Sequence, residues 1–215
     1  MQSFLKRILP AFLAGLFLLS AQNISGFEEG DKLLRIRGMW AFPNDNSGAT
    51  TGALTPGTIE VGSDLTPEID GTYMLTKEIG LELVATATRH NFSGKGALAG
   101  TEVGHTWMIP ATLLAQWHFH FSDHMIPYIG VGVNFAFFFD ETNYLAGQTG
   151  MSLKSSWGLA GQIGMDYMLS DNDFINFDVK YIDIDTTATL SGATAGTMKI
   201  DINPWLFSVG LGHRF

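Results

Sequence analysis

Cysteine is absent from the 215 residues, so neither a disulfide nor a thiolate nucleophile can be built from this chain. Charge is scarce as well: Asp, Glu, Lys and Arg together make up 15%, and the 12 basic residues are outnumbered by 21 acidic ones for a formal charge of −9. A chain of that sign has no basic surface to neutralise phosphates, which excludes a nucleic-acid partner. Long hydrophobic runs are missing beyond the first two dozen positions, because charged, Gly and Asn residues interrupt every greasy segment. None approaches the roughly 20 residues that a bilayer-spanning helix needs. Any passage through a membrane must therefore be made by strands.

The one long apolar run lies at the start, where Lys6-Arg7 precede residues 8–21 and small residues follow. This is the pattern of a secretory signal peptide over residues 1–24, with cleavage expected between Ala21 and Gly26. Residues 25–215 then form a single domain of ordinary size.

Glycine and phenylalanine are plentiful, 25 and 16 respectively, and they fall in a pattern. In IPYIGVGVNFAFFFDE, residues 126–141, the odd positions are Ile129, Val131, Val133, Phe135, Phe137 and Phe139. The even ones include Gly130, Gly132, Asn134 and Ala136. A period of two means a strand with a greasy face and a small or polar face. The same alternation predicts strands near residues 33–42, 67–76, 79–89, 107–121, 126–141, 152–169, 175–181 and from about 198 to 215. The connections around residues 76–78, 122–124 and 170–173 are short. Those over residues 43–63, 90–104, 142–151 and from after 181 to about 197 are long and rich in Gly, Thr, Asn or Ser, and read as loops. Eight strands joined by alternately long and short connections predict an all-β fold, an eight-stranded antiparallel up-and-down transmembrane β-barrel. All five tryptophans, Trp40, Trp107, Trp117, Trp157 and Trp205, lie on the greasy phase, as girdles at a membrane interface do. The greasy face therefore meets lipid, with Phe135 expected near mid-bilayer, and the other face lines the lumen.

The terminal WLFSVGLGHRF alternates in the same way and ends on an aromatic residue, which resembles the signal read by the barrel-assembly machinery of bacterial outer membranes. The blocks PYIGVGVNFAFFFDE, IPATLLAQWHFHF, SSWGLAGQIGMDYML, INFDVKYIDIDTTATL and KIDINPWLFSVGLGHRF resemble, in order and spacing, those of the outer membrane protein W family. The resemblance covers nearly all of the mature chain. It implies an eight-stranded barrel in the outer membrane whose lumen is proposed to admit small hydrophobic compounds.

Strand parity names lumenal residues independently of that resemblance. Nearer the periplasm it turns Arg35, Arg37, Glu82, Gln116, His118, His120, Asp166, Asn176, Asp178, Lys180 and Arg214 inward, a set able to pair into a polar plug. Nearer the outside it turns in Met108, Pro110, Leu114, Phe138, Ile182, Ile184, Ile200, Ile202 and Leu206, an apolar path for a solute or a packing that fills a narrow barrel. Glu68 and Asp70 stand out as acidic exceptions at that height. Other chemistry has little support. His118, His120 and His124 have no spaced carboxylate or thiolate to complete a metal site. Gly130-Val131-Gly132 lacks the third glycine and the helix of a dinucleotide loop. Asp183 and Asp185 precede a Thr-rich stretch, where a solvated loop is the plainer reading than a cation site. With no Gly-x-Ser-x-Gly and no Ser–His–acid set in phase, no enzyme and no cofactor are expected. The expected role is passive passage or binding of small hydrophobic molecules, with lateral release into the membrane. The rival is a surface protein acting in adhesion or stress protection through its extracellular loops.

Overall fold

The computed structural model describes residues 26–42, 46–50, 59–61, 65–94, 102–144, 148–192 and 196–215. The expected signal peptide, residues 1–24, lies outside them, as do Gly52, Gly96 and Gly147 in the long connections. The first half of the chain holds β1 (Lys32–Phe42), β2 (Asn46–Thr50), β3 (Ile59–Val61), β4 (Leu65–Met74), β5 (Ile79–Thr86), β6 (Thr88–Gly94) and β7 (Glu102–His118). The second half holds β8 (Met125–Asn143), β9 (Gln148–Leu153), β10 (Ser156–Met168), β11 (Asp173–Ile182), β12 (Asp185–Gly192), β13 (Gly196–Asp201) and β14 (Trp205–Arg214).

Eight of these strands form a ring in the order β1-β4-β5-β7-β8-β10-β11-β14, each antiparallel to its neighbours. Pairing of β14 back onto β1, from Leu33↔Arg214 to Phe42↔Trp205, closes it. The barrel expected from alternation is the barrel found, and closure leaves the membrane-spanning wall without an edge.

The wall has the two faces that parity predicts. On β8, Ile129, Val131, Val133 and Phe137 are exposed whereas Tyr128, Gly130, Asn134, Ala136 and Phe138 are buried. Trp157 and Val131 are 73% and 71% exposed, a state that only lipid makes favourable for a large apolar surface. Aromatic rings gather at the two ends of the band. Toward the long connections, Phe42 meets Phe207, Tyr181 meets Trp205 and Phe135 meets Trp157, with ring centroids 5.5, 5.1 and 4.6 Å apart. At the other end, Trp117 stacks on Phe119. Phe135 and Val133 both lie on the lipid-facing phase of β8, Val133 between Ile129, opposite Trp117, and Phe137.

The three short turns share one device. At the end that short turns mark as periplasmic, the hydroxyls of Thr76, Ser122 and Ser170 accept hydrogen bonds from the backbone N–H three residues on, at 3.0, 3.1 and 3.0 Å. Each hydroxyl satisfies a backbone group that the ladder leaves unpaired.

The long connections are not the irregular loops read from composition. β2, β13, β12 and β9 pair into a four-stranded sheet beyond the barrel, and β3 pairs β6, which runs on along β7. Thr-rich stretches suit strands, and pairing satisfies their backbone groups. The single strand read over residues 152–169 is two for the same reason. At Lys154 the chain hydrogen-bonds to Thr187, so that β9 joins β12 while β10 stays in the wall.

Candidate functional site

Inward-facing side chains stack in three layers along the lumen. At the periplasmic end lies an apolar base of Phe27, Leu33, Met74, Ile126, Met168 and Phe174. The ionic layer sits above it. Its cations are Arg35 and Arg37 from β1 and Lys180 from β11. Its carboxylates are Glu68 and Asp70 from β4, Glu82 from β5, Asp166 from β10 and Asp178 from β11. All these side chains are at most 1% exposed.

The contacts tie opposite walls together. Arg35 grips Asp166 with one edge of its guanidinium, Nε to Oδ1 at 3.2 Å and Nη2 to Oδ2 at 2.7 Å, and reaches Asp70 at 3.0 Å through Nη1. Arg37 meets Glu68 at 2.7 Å and Asp70 at 2.8 Å, and Lys180 bridges Glu68 and Asp178, both at 3.4 Å. A planar fork is what two-point capture of a carboxylate requires, which a lysine could not provide. Neutral groups extend the layer downward: Thr72 accepts from Arg35 at 2.7 Å, and Asn176 donates to Asp166 at 2.8 Å and to Tyr128 at 2.9 Å. The Tyr128 ring fills the space where a side chain at position 164 would lie, so that only glycine fits there.

Above the ions the lumen is apolar. Met39, Ala41, Val84, Met108, Leu114, Ala136, Phe138, Ile182, Ile184, Ile200, Ile202 and Leu206 are buried against one another. They enclose a cavity of about 20 Å³ at Met39, Met108, Pro110, Ile184 and Leu206, with Thr88 at its side. That is room for about one water molecule, so any larger occupant would have to displace side chains, of which the two flexible methionines yield most readily.

Of the polar residues named from the sequence, Arg35, Arg37, Glu82, Asp166, Asp178 and Lys180 meet in the ionic layer. His118 is buried beneath it, its Nε2 3.1 Å from Gln116 Oε1 and its ring tilted against Tyr128. Arg214 stands apart: its Nη1 donates to Gly26 O at 2.8 Å and approaches Asp31 at 3.5 Å, at the mouth and not in the plug. As the last residue of the closing strand it sits too low to reach the ions. His120 is exposed because β7 ends at His118, and parity has no meaning beyond a strand's end. The apolar residues Met108, Leu114, Phe138, Ile200, Ile202 and Leu206 share the upper cluster, and Pro110 lines its cavity.

Sequence reasoning set Glu68 and Asp70 aside as exceptions, yet they are central. Register makes Asp70 the direct partner of Arg35, and Glu68 that of Arg37. Facing opposite charges across β1 and β4 were the available signal. Phe27 was missed altogether, since it lies before the first strand and carries no periodicity.

The wall has one interruption beside the cavity. Pairing of β5 with β7 stops at Ala85↔Ala111 and resumes between β6 and β7 at Thr88↔Met108, in the same register. The missing rungs face Pro110 and Ile109, and proline has no N–H to donate.

A model of the OmpW family matches residues 28–215. Outer membrane protein W of Vibrio cholerae is 36% identical over 212 residues, spanning 94% of this chain and 97% of that protein. Its counterpart in Escherichia coli K12 is 35% identical over 98% of this chain and all of that protein. The crystal structure of the outer membrane protein OprG from Pseudomonas aeruginosa superposes with a TM-score of 0.83 at 34% identity, covering 89% of this chain and 99% of that one.

Proposed function

The chain belongs to the OmpW family of outer-membrane barrels, and from that premise we propose that it takes small apolar molecules from the outer surface into the upper lumen and releases them sideways into the membrane. The observation that carries this reading is the layering. An apolar chamber stands on buried ion pairs that an apolar solute cannot solvate, so the direct way down is closed to it. The interrupted ladder at Pro110 borders the same chamber, which makes that point the least costly part of the wall to part. Passage needs binding and release only, so the barrel works without covalent chemistry or a cofactor. Its partners are outer-membrane lipid, the apolar solute and, during biogenesis, the barrel-assembly machinery.

Uptake of an apolar fluorescent tracer by cells with and without the protein tests the proposal, with Leu206→Asp as the diagnostic variant. A carboxylate in the poorly hydrated upper lumen penalises an apolar solute directly, so Leu206→Asp should lower uptake while heat-modifiable gel mobility remains that of an assembled barrel. Pro110→Ala, which restores an N–H to the ladder, should also slow release. Parental uptake by an assembled Leu206→Asp barrel would remove the solute path. The lumen would then be packing, and the sheet of β2, β13, β12 and β9 would become the part to test for a surface role.

A further inference from the structure

The ionic layer is shielded from the periplasm only if water is excluded from below, and the base that the barrel strands build there, with Phe174 as its aromatic, is completed by a residue from outside those strands. The chain segment before β1 supplies it. Glycine at position 30, with φ of 91°, turns the chain, and Gly30 N donates to Met74 O at 2.9 Å. Asp31 holds the bend: its Oδ2 accepts from Glu28 N at 2.8 Å and its N donates to Glu28 O at 3.2 Å. Phe27 is thereby carried back into the periplasmic mouth, where it is 1% exposed. Its ring stands edge-on to His118 and to Phe174, with both centroids 5.6 Å away. Arg35, in the layer above, lies over the Phe174 ring at 5.4 Å. The segment is also tied from outside, because Arg214 of the closing strand donates to Gly26 O at 2.8 Å. At Gly26 the His120 ring fills the space a side chain would need.

We propose that residues 26–31 form a periplasmic stopper, with Phe27 as its head, that seals the lower lumen against water independently of any solute the upper lumen takes. A free, extended leader to the first strand would have no reason to carry one large apolar residue, bend on a positive-φ glycine and lie under the C-terminal arginine. The stopper places a second closure below the ions, so that charges drawn from five strands meet in a space closed at the bottom by carbon.

The absence of native cysteine provides the test. Met74, in the base layer and fully buried, is replaced by cysteine in protein held in phosphatidylcholine nanodiscs, where both mouths are open to a charged maleimide. With Phe27 present, Met74→Cys should label far more slowly than a reporter at Ser122→Cys in the periplasmic turn. Phe27→Ala should speed Met74→Cys labelling by about ten-fold or more, as expected when a local closure is lost, while Phe27→Leu keeps it slow. Gly26→Val, which collides with the His120 ring without altering Phe27, should speed it too and covers the case in which Phe27→Ala fails to assemble. Met108→Cys, above the ions, should label at one rate in all assembled variants. The stopper is refuted if Met74→Cys labels as fast as Ser122→Cys in the parent, or if assembled stopper variants leave it as slow as before. It is equally refuted if Met108→Cys accelerates alongside, since the whole barrel would then have loosened.

Discussion

Arg35 carries the largest single consequence at the scale of one residue, because its fully buried guanidinium binds buried carboxylates from two other strands. Arg35→Ala leaves Asp70 and Asp166 short of a counter-charge, and breaking a buried pair from one side costs about 3–5 kcal/mol. Urea unfolding in lipid vesicles should report that loss, and Arg35→Lys should recover only part of it, since an ammonium cannot reproduce the two-point grip on Asp166. A milder conflict sits outside the membrane. Asp185 faces Asp201 directly across β12 and β13. Partial burial first, and then the charges of Asp201 and Asp183, raise the Asp185 carboxyl above its usual range. A carboxylate whose folded-state pKa is raised destabilises the fold when ionised, so the outer sheet should tighten as pH falls from neutrality through that raised pKa. Amide exchange in β12, corrected for its intrinsic pH dependence, should slow accordingly. Asp185→Asn should abolish the effect and stabilise the sheet at neutral pH by about 0.2–1 kcal/mol, the scale of one cross-strand pair. Unchanged pH dependence in Asp185→Asn would assign the effect elsewhere.

Each barrel strand is an element with two solvents, lipid on one side and the packed lumen on the other. Val133 of β8 is exposed on the lipid-facing phase between Ile129 and Phe137, so Val133→Arg should lower refolding stability in vesicles by about 2–4 kcal/mol, whereas Val133→Leu should stay within about 0.5 kcal/mol. Equal stability of the arginine and leucine variants would reverse the two faces. The faces were legible in the sequence because a strand's parity follows from local backbone geometry. The strand ends were not. β9 leaves the wall at Lys154 because its backbone partner is β12, and β7 stops before His120, where the chain turns back into β8. Composition showed the long connections to be rich in Thr and Gly but not that they pair with one another.

For the molecule as a whole, closing the ring turns a set of alternating strands into a layered lumen: an apolar base, buried ions and an apolar chamber. The proposed sideways release and the proposed stopper both depend on that order, and the Leu206→Asp and Phe27→Ala variants probe its top and bottom separately. The sequence by itself determined the class of protein, the lipid-facing residues and most of the side chains that point inward. Each of these needs only the period of two, the lack of helix-length apolar runs and the placing of tryptophan. Tertiary structure alone decided which inward residues meet. Arg35 and Asp166 are 131 positions apart and come together only through the ring of strands. Asp70 faces Arg35 only because β4 pairs with β1 in one register and not one shifted by two residues. Phe27 reaches the lumen through a turn that no alternation signals. Parity is a property of a strand, but register and closure are set by all eight strands together, which is why the lining could be read along the chain while its partners could not.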